Sequence, residues 1–176
     1  MKTIRELRTE LSFYPHEINS QIKYFADKVT VDFNVWLPTL GVNLQRGYVW
    51  DLSQKRELIW SILKNRNIPR MAMMNVLSDE HQDGVYQIID GKQRLSSMLG
   101  FYRNEFTLLI DDKEYYFSEL PSDYQNVIKG YQFPYYIANE VVKGDFTDKD
   151  KVDWFLQINF AGTAQDKEHF DKLVRE

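Results

Sequence analysis

The chain has 176 residues, a formal net charge of −4, 43% hydrophobic and 15% aromatic residues, and no cysteine. That length buries the core of one domain and that composition excludes disordered, collagen-like and low-complexity chains. The missing thiols exclude disulfides, thiolate metal sites and cysteine chemistry, the N-terminus lacks the apolar core of a secretory leader, no run approaches the ~20 apolar residues of a membrane span, and the acidic balance argues against a broad nucleic-acid footprint.

In chain order, residues 3–27 are expected to be a helix bent near Pro15, with Ile18, Ile22 and Phe25 on one face. Val31, Phe33 and Val35 alternate with polar neighbours and predict a half-buried strand, and Pro38 and Gly41 mark an irregular connection after it. Ser53 is positioned to cap a helix carrying Leu58, Ile59, Ile62 and Leu63 on one face, stopped at 67–69 by Asn-Ile-Pro. The runs RMAMMNVL and VYQII, joined by polar SDEHQDG, predict a hairpin whose second strand ends in Asp90-Gly91. Leu95, Met98, Leu99 and Tyr102 then recur at the spacing of a buried helix face. A second hairpin is expected around Asp111-Asp112, a short helix ending at Gly130, a strand over FPYYIANEVV, a helix capped by Thr147, and a last helix capped by Thr163. The expected architecture is α+β, a small mixed sheet with surrounding helices, in a single domain over 1–176. It divides into an N-terminal helical segment (1–30), a core (31–146) and C-terminal helices (147–176), and an end in or just after a helix suits either a minimal domain or a piece cut from a longer protein.

Charge is unevenly spread. Residues 46–103 carry nine basic and six acidic side chains, whereas 104–176 carry eight and fifteen. The basic island centres on YQIIDGKQRLSSMLGFY, where a strand ends in Asp-Gly and a helix opens. Successive backbone N–H groups at a helix start form a ready anion site. Gly91 allows close backbone approach, and Lys92 and Arg94 add a point charge and a bidentate fork. Asp90 would repel an anion alone; a Mg²⁺ ion, a ribose hydroxyl or a helix N-cap each gives it a partner. A plain capped strand-to-helix turn remains the alternative.

Two further segments carry polar groups of the same kind. QRGYVWDLSQKRE joins Gln45 and Arg46 to Gly47, Tyr48 and Trp50 just before a helix, which suits a base or phosphate but equally a buried tryptophan with a surface arginine. In WFLQINFAGTAQD, Asn159 and Gln165 flank Gly162, where amides cap helices or bind ligands. The three histidines, 16, 81 and 169, lack ligand spacing, and no nucleophile elbow or Walker loop occurs.

In this order, Gln45-Arg46-Gly47-Tyr48-Val49-Trp50, Asp90-Gly91-Lys92-Gln93-Arg94, and Phe155 to Asn159 with Gly162 resemble the motifs of the N-terminal domain of GmrSD-type modification-dependent restriction enzymes, within the ParB/sulfiredoxin-like superfamily. The family's usual forms are Q-R-x-Y-x-W, D-G-Q-Q-R, and F-x-x-x-N followed by a glycine, and the likeness spans 40 to about 170. It implies a ParB-like core whose central turn binds a nucleoside triphosphate, with Mg²⁺ as a companion ion, and supports NTP hydrolysis in a restriction or phage-defence system; the cysteine-free composition suits a reducing compartment and makes the cytoplasm the expected location. By position it implies that Gln93 and Arg94 contact phosphate, Asp90 organises metal or water, Arg46 neutralises developing charge and Asn159 completes the pocket, with Gln45, Gly91 and Lys92 in the binding set. It implies DNA or a nuclease domain or subunit as further partners. Two departures stand out: Lys92 replaces the usual Gln, which makes binding a firmer expectation than hydrolysis, and the chain has no room for the nuclease domain that relatives often carry. The competing reading is a non-catalytic DNA- or protein-interaction module on the same fold; a ParB-like nuclease acting alone is weaker, because the aspartate pair Asp111-Asp112 suits a hairpin tip.

Overall fold

The computed structural model describes residues 13–160. The strands are β1 (His16–Gln21), β2 (Val31–Asp32), β3 (Trp36–Leu37), β4 (Val42–Asn43), β5 (Met71–Val76), β6 (Val85–Asp90), β7 (Leu108–Ile110), β8 (Lys113–Tyr115) and β9 (Gln132–Asn139). The helices are α1 (Ile22–Lys28), α2 (Leu52–Leu63), α3 (Lys92–Tyr102), α4 (Ser122–Gly130) and α5 (Asp148–Phe160), with a 3₁₀ turn at Phe117–Glu119. The part of the expected first helix before residue 13, and the last helix with Gly162, Thr163 and Gln165, lie outside the described residues.

The central sheet has five strands in the order β1-β9-β5-β6-β2. It is mixed: β1/β9 and β5/β6 are antiparallel, while β9/β5 and β6/β2 are parallel. Both faces are covered, which explains why Met71-Ala72-Met73-Met74 is apolar throughout instead of alternating with polar residues. Met71, Met73, Ile88, Phe133, Tyr135 and Ile137 join one core with Ile22 and Phe25 of α1, Ile59 of α2, Leu95 and Met98 of α3 and Ile128 of α4. Ala72, Met74, Ile89 and Ala138 face the other, with Val35, Leu37 and Leu44 of the connecting segment and Val152, Trp154 and Phe155 of α5. The expected α+β arrangement, a mixed sheet with helices around it, is the one observed.

Several local expectations change. Residues 16–21 are strand, not helix, because β9 offers them an open edge: the six pair from His16↔Ile137 to Gln21↔Gln132, and the Ser20 hydroxyl lies 3.1 Å from that of Tyr135. Helix starts only at Ile22, so Ile18 belongs to the strand while Ile22 and Phe25 share the helix's buried face. The strand expected through Val35 stops at Asp32, whose Oδ1 accepts the N–H groups of Asn34 and Val35 at 2.9 and 3.0 Å. A short acidic side chain here outcompetes the sheet ladder for the backbone. Asp51, not Ser53, caps α2: it accepts the Gln54 N–H at 2.8 Å and the Gln54 side chain returns to the Asp51 N–H at 3.0 Å. Two hydrogen bonds made reciprocally outrank the hydroxyl two residues later. Both hairpins form, the second through Asp111 and Asp112 at φ +48° and +63°, the left-handed pair that a tight two-residue turn requires. Thr147 caps α5, its hydroxyl accepting the Asp150 N–H at 3.2 Å.

Candidate functional site

The site grows from the end of β6. Opposite the Ala72–Met73 step, β6 contains one extra residue, Ile89, because Ala72 pairs with Asp90 while Met73 pairs with Ile88. Such a bulge re-aims the strand and locally disrupts the ladder. The Gln45 side-chain amide binds here, donating to Ile88 O at 2.9 Å and Ile89 O at 2.6 Å. This fastens the start of the QRGYVW segment onto the strand that delivers Asp90.

The next turn is set by Gly91, at φ +98°. A Cβ there would lie 2.3 Å from Met71 Cγ and 2.8 Å from Met71 Cβ, so the glycine admits the neighbouring strand's methionine against the turn. The close approach required of it is internal, whatever ligand the turn also holds.

From α3's first turn three side chains reach back. Lys92 is 8% exposed, and its ammonium donates to Asn34 Oδ1 and to Arg46 O, both at 3.0 Å. Gln93 Oε1 accepts the N–H groups of Val49 and Trp50 at 3.1 and 3.3 Å, and its amide donates to Gly47 O at 3.3 Å. One helical turn further, the Ser97 hydroxyl donates to Gln93 O at 2.7 Å and lies 2.7 Å from the Tyr48 hydroxyl. The first two motifs thus form one hydrogen-bonded body, a juxtaposition that 44 residues of separation hide in the sequence.

Asp90 does not cap α3; the N-cap position is Gly91 and makes no side-chain cap. Instead Asp90 Oδ2 accepts from Arg94 Nη2 at 2.6 Å, and the same guanidinium nitrogen donates to Arg70 O at 3.2 Å. Arg94 Nε is buried without an acceptor. Arg46 is exposed, and its guanidinium makes no hydrogen bond or ion pair within the described residues. Asn159 sits on the last turn of α5, its amide donating to Phe155 O at 2.7 Å, on the helix whose Val152, Trp154 and Phe155 pack beneath Ile89.

Asn34 is a site residue that the sequence reading missed. Its only signal is the DFN triplet, where Asp32 holds the turn. Val35 adopts φ +54°, unusual for a β-branched residue, and is kept there by Leu44 N–H donating to Val35 O at 2.9 Å and Gln45 N–H to Asn34 O at 3.2 Å. The strained turn aims Asn34 at the Lys92 ammonium.

Burial lowers the pKa of Lys92 below its ordinary value of 10.5, with the nearby Asp32 charge opposing the shift. The unfolded chain therefore binds this proton more tightly than the folded one. Its contribution makes stability rise with pH just below 10.5. Lys92→Gln, which restores the residue usual in the resembling motif, keeps an amide donor for Asn34 and Arg46 O and removes the buried charge. It is expected to leave stability at neutral pH within about 1 kcal/mol of wild type, since exchanging a buried charge for a hydrogen-bonding group is often near neutral. Urea unfolding of both proteins between pH 8 and 10.5 checks this: the wild-type-minus-variant stability difference should climb with pH.

The donors fit an oligophosphate. Arg46 has an unused fork, Arg94 a buried Nε lacking an acceptor, and α3 begins beside both motifs. A magnesium ion is a sparser fit. Among the described residues no three His, Cys, Asp or Glu side chains gather, and Asp90 alone would have to share such an ion with phosphate oxygens, an arrangement magnesium accepts. No helix among the described residues is long and apolar enough to cross a membrane.

Comparison with curated proteins and with solved structures returns no match. The family described as GmrSD restriction endonuclease, N-terminal domain, matches residues 43–176, a span that contains all three motifs. The chain therefore belongs to the GmrSD restriction endonuclease N-terminal domain family.

Proposed function

We propose that this restriction-family domain binds a nucleoside triphosphate at the junction of the QRGYVW segment and the DGKQR turn, on a ParB-like core. The observation that carries the reading is the contrast between one set of polar groups and two arginine groups. Gln45, Lys92 and Gln93 spend their donors and acceptors on building the junction, whereas the Arg46 guanidinium and the Arg94 Nε have no acceptor within the described residues. Arginines left unsatisfied beside a helix start are what a chain of phosphates completes. In this reading Arg46 and Arg94 bind phosphate, while Gln45, Lys92 and Gln93 hold the loop that carries Arg46. Asp90 orients Arg94 and shares a magnesium ion with the phosphates, and Asn159 closes the pocket from α5. Hydrolysis is the next step of the same reading, with Arg46 neutralising the charge that develops on the terminal phosphate.

A duplex-binding module is the competing interpretation, and the pairing of the basic residues disfavours it. Arg56, Arg66, Arg70 and Arg94 are paired with Glu114, Glu57, Glu17 and Asp90, Lys92 is buried, and Lys55 and Lys64 lie over aromatic rings. Little of the basic island is free to neutralise a phosphate backbone.

Thermal stability with ATP, GTP, CTP and UTP, with and without Mg²⁺, tests the proposal on wild type and Arg46→Ala. The Arg46 side chain makes no hydrogen bond or ion pair among the described residues, so its removal leaves the fold's stability within about 0.5 kcal/mol. A nucleotide at ~100 times its Kd stabilises the wild type by roughly 2.7 kcal/mol, and Arg46→Ala should weaken affinity by at least ~tenfold. No shift with any nucleotide would overturn the reading, and equal shifts in both proteins would remove Arg46 from the site.

A further inference from the structure

Beside the junction, on the outer side of α3, lies a hollow of about 180 Å³ that none of the motif assignments uses. Its walls include Tyr48, Lys55, Ser96, Ser97, Glu105 and Phe106. The Lys55 ammonium sits 4.7 Å from the centroid of the Tyr48 ring and 5.5 Å from that of Phe106, a cation held against two aromatic faces with no acidic partner among the described residues. Across the hollow, the Glu105 carboxylate makes no hydrogen bond or ion pair among the described residues. It is let in by Gly100: a Cβ at that buried helical position would lie 2.7 Å from Glu105 Oε2. Glycine inside a helix is unfavourable relative to alanine, so the helix gives up stability where the carboxylate enters.

We infer that this hollow is the subsite for a nucleobase, which extends the nucleotide reading above and rests on it. The Tyr48 and Phe106 rings offer stacking once the flexible Lys55 ammonium swings from their faces to donate to a ring oxygen or nitrogen, and the Glu105 carboxylate accepts from an amino or imino group. One planar heterocycle that carries both a donor and an acceptor satisfies all of these together. A bare anion does not, because Glu105 repels it, and a purely apolar ring leaves both charges unmatched. The volume falls below the roughly 300–1,000 Å³ of pockets that bury drug-sized ligands, which suits a single base. The position agrees too. Ser97 binds both Gln93 O and the Tyr48 hydroxyl, so the hollow begins one helical turn beyond the residue that fixes the phosphate-side loop. From Gln93 to Gly100 the helix advances only about 10 Å, within the reach of one nucleotide.

Two sources could supply the base: the bound nucleotide itself, or a base of single-stranded DNA. Calorimetric titration separates them, using the four nucleoside triphosphates, inorganic tripolyphosphate and short single-stranded oligonucleotides of each base. The proteins are wild type, Glu105→Gln and Gly100→Ala. Gly100→Ala should fold with an unchanged or higher thermal midpoint, because the flexible carboxylate moves aside, yet it empties the acceptor position. If the nucleotide supplies the base, both variants reorder the preference among the four nucleotides by about tenfold, the worth of one charge-assisted contact. Tripolyphosphate affinity then stays unchanged. If nucleotides and tripolyphosphate both fail to bind but an oligonucleotide binds with a preference that Glu105→Gln alters, the phosphate reading falls and the base subsite stands, fed by DNA. Nucleotide binding whose preference is the same in all three proteins overturns the subsite and leaves the phosphate site intact. Absence of binding by nucleotide, tripolyphosphate and oligonucleotide alike overturns both.

Discussion

Gly91→Ala is expected to cost about 4 kcal/mol, the larger of the two big stability losses anticipated for this chain. The left-handed backbone accounts for about 1–2 kcal/mol with any Cβ-bearing residue, and overpacking of a full core adds about 1–3 kcal/mol. The overpacking term should fall near its upper limit. The Met71 atoms that the new Cβ meets include its own Cβ at 2.8 Å, which rotamer changes cannot withdraw, and Met71 is 1% exposed at the heart of the sheet. Relief requires β5 and β6 to move apart, which also breaks the bulge at Ile89. Urea unfolding read by tryptophan fluorescence would check this. A loss below about 1 kcal/mol would mean that the turn is not held at φ +98° in solution. The expected effect also changes what the glycine signifies. Viewed as sequence, Asp-Gly before a helix suggested room for a phosphate; in the fold, the glycine is already needed by Met71, twenty positions earlier in the chain.

How much could be read in advance followed the range of the interactions involved. The β5/β6 hairpin, the buried face of α3 and the left-handed Asp111-Asp112 turn are set by neighbours in the chain, and their patterns were legible. β1 was not, because HEINSQ has no strand pattern of its own and becomes a strand only by pairing with β9, more than a hundred residues away. The segment after Asp32 misled for the opposite reason: its alternation was real, but one carboxylate closing a turn overrode it. At the site, the residue types pointed to the right neighbourhood without giving the direction of each side chain. Lys92 reads as a surface charge for phosphate, yet its ammonium turns inward to Asn34 and Arg46 O. Nothing local reveals that, since Asn34 reaches it only through a strained turn fastened to Gln45. The hollow bounded by Lys55 and Glu105 joins residues from α2 and from the segment after α3, and sequence periodicity says nothing of it.

Gln45 and Arg46 are adjacent, both are polar, and both belong to the same motif, yet substituting them should have opposite consequences. Gln45→Ala is expected to lower stability by about 3 kcal/mol. One amide nitrogen donates to two carbonyls at the bulge, and each buried acceptor left unpaired costs about 1–3 kcal/mol. Partial access of water to the half-buried side chain keeps the sum below its upper limit. Gln45→Glu is the sharper probe, because it preserves shape while replacing the donor with a carboxylate facing two carbonyl oxygens, and it should be at least as damaging at neutral pH. Arg46→Ala, by contrast, should unfold at nearly the wild-type urea concentration, since its guanidinium makes no hydrogen bond or ion pair among the described residues. Denaturant midpoints of the three variants, measured without ligand, separate the two roles. Equal midpoints for Gln45→Ala and wild type would show that the bulge carbonyls find other donors, and would return Gln45 to the set of side chains available to a ligand. A large loss confined to the Gln45 variants would instead establish a division of labour within the motif: the amide secures the loop to β6, and the arginine next to it, whose guanidinium has no partner among the described residues, is the group the loop exists to present.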